Sequence, residues 1–178
     1  MVRIHITIHA PGCAMTPLVS VRRLIVHHSE SPGGGVAFLR HCHVDENGWA
    51  DIGYHYVIGN GVAWGGYSAL ADGACADGRS VEYQGAHCLG FNTDSIGICV
   101  IGKLDVNAPT TAQIRGLTGL LTELCLRYNL TAADITGHRD HNATTCPGDR
   151  MYFKLFDIKR DVAAVLAVLR TASAAVVT

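Results

Sequence analysis

The stretch Val21–His28, VRRLIVHH, decides the fold of this chain. Its apolar run, Leu24-Ile25-Val26, is typical of a strand that is buried on both faces. Two histidines follow this run directly, and the segment Ser31–Gly35, SPGGG, cannot continue a strand and predicts a loop. We therefore expect a buried strand whose end carries two imidazole side chains.

The next part of the chain predicts a helix, a β-hairpin and a loop region. Aromatic and β-branched residues alternate in YHYVI, and a Gly-Asn-Gly turn signal follows. We expect a helix over Val36–Val44, a strand over Tyr54–Ile58, a turn at Gly59–Gly61, a return strand over Val62–Trp64 and a long loop over Gly65–Asn92.

The second half of the chain predicts a central strand followed by two helices and a short strand. IGICVI is fully apolar, and the leucines after Thr110 recur at helical spacing. We expect strands over Ile96–Ile101 and Ile135–His138, and helices over Thr110–Tyr128 and Ile158–Leu169. Because strands and helices intermix around one sheet, the fold class is α/β, a single domain with a central mixed β-sheet flanked by helices.

Length and composition favour one folded domain and argue against a nucleic-acid partner. The 178 residues suit a single unit over 1–178, with a motif region at 21–152, an N-terminal extension at 1–20 and a C-terminal helix at 158–176. The hydrophobic content of 48% can build a core, whereas the net charge of -1 lacks the basic excess that nucleic-acid binding requires.

Neither end of the sequence predicts a membrane span or a secretion signal. Met1–Ala10 reads MVRIHITIHA, which alternates like a strand and lacks an unbroken apolar segment. The Ala- and Val-rich tail Asp161–Thr178 is too short to span a bilayer and is interrupted by Arg170. We expect a monomer that is made without a signal peptide and needs a partner to cross a membrane.

A cluster of histidine and cysteine residues near position 140 indicates metal chemistry. His138 and Cys146 lie eight residues apart, in a stretch of polar and turn-forming residues that can fold back on itself. A third ligand from a distant strand would complete a catalytic zinc site, in which three protein ligands leave a fourth position for water. The alternative is that these histidines are ordinary surface or core residues.

Four blocks of sequence stand out, namely VHHSE from Val26, NGWADIGYHYVIG from Asn47, GAHCLGFNTDSIGICVIG from Gly85 and GHRDHNATTCPGD from Gly137. Together, and in this order, they resemble one family of enzymes, the type 2 N-acetylmuramoyl-L-alanine amidases. This family includes the phage lysozyme-type amidases and the animal peptidoglycan recognition proteins.

The resemblance implies a Zn²⁺ cofactor bound by His27, His138 and Cys146, in a groove at the sheet edge. It also implies that Tyr54 assists the reaction and that Thr144 lies beside the scissile carbonyl. The substrate it implies is bacterial peptidoglycan, cut between the lactyl group and the first L-alanine of the stem peptide. Without a signal peptide or a wall-binding module, a compact phage-type endolysin that acts on the cell wall is favoured.

The resemblance also distinguishes the expected zinc ligands from other histidine and cysteine residues of the same motifs. His28 and His141 are expected to be neighbours of the site and not ligands. The muropeptide-recycling amidases of the superfamily carry a catalytic Glu and an Asp ligand where this chain has Cys99 and Cys146. Cys99 is therefore expected to be a small buried hydrophobic residue.

Substrate contacts and thiol pairing are less defined by the motifs. His87 and Asn92 match positions of the family's groove loop, and Trp64 and Tyr67 could stack on a sugar or simply pack beneath the loop. Cys75 and Cys88 flank the same loop and could pair as a disulfide, but the sequence does not establish that they lie close together, so two free thiols are favoured.

Two other functions compete with hydrolysis. The first is a non-catalytic peptidoglycan-recognition module on the same fold, which typically lacks the Cys ligand. The second is a structural zinc protein, which would need a fourth protein ligand that the motifs do not supply. Diaminopimelate-type and lysine-type walls are equally compatible with the sequence.

Overall fold

The computed structural model describes residues 15–63 and 66–176, with side chains described as far as residue 172. The strand pattern of Met1–Ala10 and the predicted site residue Trp64 lie outside these residues.

One mixed sheet of five strands forms the centre of the domain. Its strand order is β3-β2-β4-β1-β5. Strands β2, β4, β1 and β5 run parallel to one another, and β3 pairs with β2 in the antiparallel sense. The strands are β1 Arg23–His28, β2 Tyr56–Ala63, β3 Gly66–Asp77, β4 Ser95–Val100 and β5 Ile135–Gly137. The predicted mixed sheet is confirmed, with β4 at its centre.

Three α-helices cover the sheet, and the first of them changes its pitch. Helix α1, Val36–Arg40, continues as a π-helix over His41–Glu46. Helix α2, Thr111–Arg127, begins at a capping box in which Thr110 and Gln113 satisfy each other's backbone N–H groups. Helix α3 spans Asp149–Val176.

The two faces of the sheet bury separate apolar clusters. The larger cluster lies beneath α2 and α3 and contains Leu24 and Val26 of β1. The smaller cluster lies beneath α1 and contains Val57 and Cys99. Because side chains alternate along a strand, and His27 is in register with Cys99, the imidazole of His27 lies on the α1 face.

The hairpin prediction was wrong in its position. Strand β2 passes through the Gly-Asn-Gly segment to Ala63, and β3 occupies Gly66–Asp77, which the sequence predicts to be loop. The pairing shifts register on both sides of Asn60, and Gly61 has a φ of 76°. The glycines therefore form an irregularity inside a long strand, because a residue without a Cβ tolerates such a bulge as easily as a turn.

Helix α3 begins at Asp149, earlier than the predicted start at Ile158. Its buried residues continue the helical spacing through Met151 and Leu155 to Ile158. Phe153 and Phe156 are exposed on the outer side of the first part of this helix. Because these apolar residues break the helical spacing of the buried ones, the sequence pattern did not indicate where the helix begins.

No helix within the described ranges is long and apolar enough to cross a membrane.

Histidine 55 joins three segments of the fold and is buried in its neutral form. Its Nδ1 accepts the Gly97 backbone N–H at 2.9 Å, and its Nε2–H donates to the Tyr83 carbonyl at 3.0 Å. Burial is the main cause that lowers the His55 pKa to about 4.

This low pKa predicts a loss of stability in acid. The unfolded chain takes up the His55 proton below its ordinary pKa of 6.5, whereas the folded chain resists until about pH 4. Stability should therefore be complete above pH 6.5, and this residue alone should cost about 2 kcal/mol between pH 7.5 and pH 5. Urea unfolding of metal-free wild-type and His55→Gln proteins would measure this difference. If the free energy of unfolding fell equally in the two proteins between pH 7.5 and pH 5, the loss could not be assigned to His55.

Candidate metal centre

Three side chains from distant parts of the chain meet at the carboxyl end of the parallel strands. His27 lies near the end of β1, His138 directly follows β5, and Cys146 lies in the loop before α3. Their ligand atoms all lie within 4.8 Å of one another. These are the three residues predicted as zinc ligands.

The strand pairing explains how these residues meet. Val26 of β1 is in register with Gly137 of β5, so His27 and His138 are the next residues on two adjacent parallel strands. The loop after His138 then folds back, because the Arg139 N–H donates to the Cys146 carbonyl at 2.9 Å. The Cys146 N–H donates to Thr144 Oγ1 at 3.2 Å, which holds the ligand loop in a tight turn.

The geometry of this cluster fits zinc. Cys146 Sγ lies 3.6 Å from His27 Nδ1. Zinc–sulfur and zinc–nitrogen bonds of ordinary length, at a tetrahedral angle, require a separation of about 3.6 Å. Two imidazoles and one thiolate are also a donor set that zinc prefers. The separation of His27 and Cys146 is thus that of two ligands of one zinc ion.

The protonation states of the ligands favour metal binding at the histidines and require a proton to leave the cysteine. Burial lowers the pKa of His27 well below its usual value, and burial also lowers the pKa of His138. Both imidazoles are therefore neutral at pH 7. Burial raises the pKa of the Cys146 thiol to about 11, while the backbone N–H of His28 acts in the opposite direction. A metal that binds here displaces the thiol proton.

Tyr54 lies beside the cluster, and its assistance to the reaction stays a prediction. Its ring centroid is 5.2 Å from that of His27. Burial is the first cause that raises the Tyr54 pKa well above its usual value. The hydroxyl therefore keeps its proton at neutral pH and can donate a hydrogen bond.

A groove of about 520 Å³ opens beside the cluster, and His138 forms part of its wall. Residues that line it include Trp49, His87, Asn92, His138, Asn142 and Thr144. Thr144 is exposed at the groove wall, and the oxygen of its hydroxyl already accepts the Cys146 N–H. Among the described residues no acceptor takes its hydroxyl proton, which can therefore serve a ligand in the groove.

The predicted substrate-binding residues occupy different environments. His87 lines the groove but is largely buried behind His27, with its Nδ1 3.0 Å from His27 Nε2. Asn92 also holds the loop itself, since its Oδ1 accepts the backbone N–H groups of His87 and Cys88. Tyr67 is exposed on β3 and donates to Asp72 at 3.1 Å, apart from the residues that line the groove.

The residues expected to be neighbours are not part of the cluster. His28 Nδ1 accepts the Leu104 N–H at 3.1 Å, on the opposite face of β1. His141 contacts Thr136 Oγ1 at 2.9 Å and packs against Phe91. Cys99 is fully buried, as predicted for a small hydrophobic residue.

The thiols outside the cluster are unpaired where the structure describes them. Cys75 on β3 and Cys88 beside the groove are both free, which confirms the prediction that they do not form a disulfide.

Two residues of the site escaped the sequence analysis. Asn142 lies four residues after His138 and accepts a hydrogen bond from its Nε2 at 3.1 Å. Trp49 packs on His43, at a centroid separation of 4.7 Å, and forms part of the groove wall. The spacing of four residues from a proposed ligand could have indicated Asn142, whereas Trp49 carries no such signal.

The structure is thus an α/β domain in which two histidines and one cysteine, at the ends of its parallel strands, can hold a metal ion. A family model described as N-acetylmuramoyl-L-alanine amidase matches residues 17–149. The chain belongs to this family.

Sequence relatives within the family carry several different names. The peptidoglycan-recognition protein SC2 of Drosophila melanogaster is 37% identical over 111 residues, which cover 62% of this chain and 54% of that protein. The endolysin of Escherichia phage T7 is 33% identical over 150 residues, which cover 79% of this chain and 85% of the endolysin. The chain thus spans about half the length of the fly protein and most of the phage protein.

A solved structure shows the same architecture. The N-acetylmuramoyl-L-alanine amidase LysC from Clostridium intestinale superimposes with a TM-score of 0.72 and is 26% identical. The match covers 84% of this chain and 89% of LysC.

We predict that the protein binds one zinc ion per chain and loses it to a strong chelator. Cys146→Ser should weaken zinc binding by more than the roughly 10- to 100-fold that follows loss of an outer hydrogen-bond partner, because it removes a ligand. Competition titration with a chromophoric chelator would measure the affinity. Cys75→Ser, on exposed β3, should bind like wild type, and a wild-type protein that takes up no zinc would refute the site.

Proposed function

We propose that the domain is a zinc-dependent N-acetylmuramoyl-L-alanine amidase, which hydrolyses the amide bond between the lactyl group and the first L-alanine of peptidoglycan. The observation that carries this proposal is the convergence of His27, His138 and Cys146 within 4.8 Å, next to a half-buried tyrosine and beside an open groove that His138 lines. The relatives named endolysin favour a phage-type enzyme that acts on the cell wall.

His27, His138 and Cys146 would hold the zinc ion as its three protein ligands. A zinc ion held there supplies a Lewis acid that polarises the amide carbonyl and lowers the pKa of water. The cluster itself contributes no carboxylate. A structural zinc site would need a fourth protein ligand to close it, and the cluster within the described residues offers three.

Tyr54 and Thr144 would act on the scissile carbonyl by donating hydrogen bonds. Burial keeps the Tyr54 hydroxyl protonated, so it can donate to an oxygen that gains negative charge as the carbonyl is attacked. Thr144 lies on the exposed wall of the same groove, where its hydroxyl proton can reach a bound substrate. A donor that strengthens its hydrogen bond as charge develops lowers the barrier more than it strengthens substrate binding.

A non-catalytic recognition module is the alternative, because several relatives are named as recognition proteins. A recognition module needs the groove but not the metal ligands. The presence of Cys146 within the cluster therefore favours hydrolysis over recognition alone.

We expect purified protein to release stem peptides from peptidoglycan, with L-alanine as the new amino terminus. Cys146→Ser should abolish this release and largely keep peptidoglycan binding, since the groove is formed by other residues. Mass spectrometry of the products from diaminopimelate-type and lysine-type walls would identify the bond and the preferred wall, and a pull-down with insoluble wall would measure binding. A wild-type enzyme that binds the wall without cutting it would establish the recognition module instead.

The Tyr54→Phe variant tests the role of the hydroxyl, since it keeps the ring and removes one donor. If the hydroxyl stabilises the developing oxyanion, kcat and kcat/KM should fall together by roughly 10²- to 10³-fold. Zinc content should stay at the wild-type level, because Tyr54 is not a ligand. Near-normal kcat in this variant would show that Tyr54 only packs against His27.

A further inference from the structure

We propose that the loop Gly85–Asn92 determines which ring nitrogen of His27 and of His138 binds the metal. In both residues this atom is Nδ1, and the loop acts through the backbone carbonyls of Leu89 and Phe91. The inference rests on the proposed metal site. It assigns positioning roles to His87, Ser95 and Asn142, which hold the ligands without touching the metal.

Two chains of hydrogen bonds, here called arms, lead from the ligands to the loop. The first arm runs from His27 through His87 and Ser95 to the Phe91 carbonyl, which can only accept hydrogen bonds. Ser95 Oγ donates its one proton to this carbonyl at 2.6 Å, so the same oxygen must accept from His87 Nε2 at 3.4 Å. A neutral His87 then presents a bare Nδ1, which accepts from His27 Nε2 at 3.0 Å. His27 is left with its Nδ1 lone pair, the atom that faces Cys146 Sγ.

Close packing fixes the His87 ring in this orientation. A Cβ placed on Gly97 of β4 would lie 2.4 Å from the ring, and a Cβ on Gly85 would come equally close from another side. Both distances are far below a normal contact, so only glycine fits at either position. The imidazole of His87 therefore occupies space that these two glycines leave free.

The second arm ends at the Leu89 carbonyl, two residues earlier in the same loop. Asn142 Nδ2 donates to this carbonyl at 3.3 Å, which turns Asn142 Oδ1 toward His138. Oδ1 then accepts from His138 Nε2 at 3.1 Å and from the Cys88 thiol at 3.1 Å. Because His138 Nε2 carries the proton, its Nδ1 is the atom left to bind a metal.

The loop that carries both carbonyls is itself held by Asn92. Asn92 Oδ1 accepts the N–H groups of His87 and Cys88 at 3.0 and 2.9 Å, and the Phe91 N–H donates to the Cys88 carbonyl at 3.0 Å. One folded loop thus sets the tautomers of two ligands that lie far apart in sequence. A site whose donor atoms are already oriented loses less freedom when the metal binds.

Measurements of zinc affinity test the two arms separately. For each arm, one variant removes the group that accepts the Nε2–H of the ligand, and a second variant keeps such an acceptor. Asn142→Ala and His87→Phe should each weaken zinc binding by roughly 10- to 100-fold. Asn142→Asp keeps an acceptor for His138 Nε2–H, and His87→Gln can keep one for His27 Nε2–H, so both should remain closer to wild type. Asn60→Ala is the matched control, because Asn60 also ties a loop through Pro32, at 3.0 Å, but touches no ligand.

Long-range ¹⁵N–¹H spectra of the histidines provide a readout that does not depend on hydrolysis. With zinc bound, His27 and His138 should both be protonated at Nε2 and coordinated through Nδ1, and His87 should be protonated at Nε2. Coordination through Nε2 of either ligand, or wild-type zinc affinity in both Asn142→Ala and His87→Phe, would overturn the inference. A wild-type protein with this spectrum and no amidase activity would refute the proposed function and leave the inference standing.

Discussion

The parallel pairing of β1 with β5 is the constraint on which the site depends. It places the residue after Val26 beside the residue after Gly137, so that His27 and His138 leave the sheet at the same edge. The pairing is held by a fully buried strand, since Leu24, Ile25 and Val26 expose none of their surface. The position of the metal ligands is therefore fixed by the most buried part of the core, and the ligand loop adds only Cys146.

The buried cluster of imidazoles is stable because every ring nitrogen that faces away from the metal position has a partner. His27 contacts His87, and His138 contacts Asn142. Burial without such partners would cost several kcal/mol for each polar group. The same burial keeps the imidazoles neutral, and neutral imidazole is the form that binds a metal. Burial with satisfied hydrogen bonds thus stabilises this part of the fold and also keeps the imidazoles in the neutral form that a metal requires.

Glycine is used in two different ways around this centre. At Gly85 and Gly97 it leaves room for an imidazole ring, and neither position needs an unusual backbone conformation. At Gly61 it has a positive φ and allows a long strand to change register. The sequence does not separate these uses. It shows a glycine in both cases, whether the position must leave room for a neighbouring side chain or must adopt a positive φ. This is why the Gly-Asn-Gly segment predicted a turn and proved to be a bulged strand.

The sequence by itself determined the α/β class, a central strand predicted over Ile96–Ile101 and found over Ser95–Val100, helix α2 and, through the family resemblance, the three residues that converge at the site. Those features follow from local patterns, namely apolar runs, helical spacing and motifs. The tertiary structure alone decided that His87 lies behind His27, that the Asn142 side chain donates to the Leu89 carbonyl, and that β3 replaces a loop. These depend on contacts between segments up to sixty residues apart, and no local pattern records which hydrogen-bonding group of one segment will meet another.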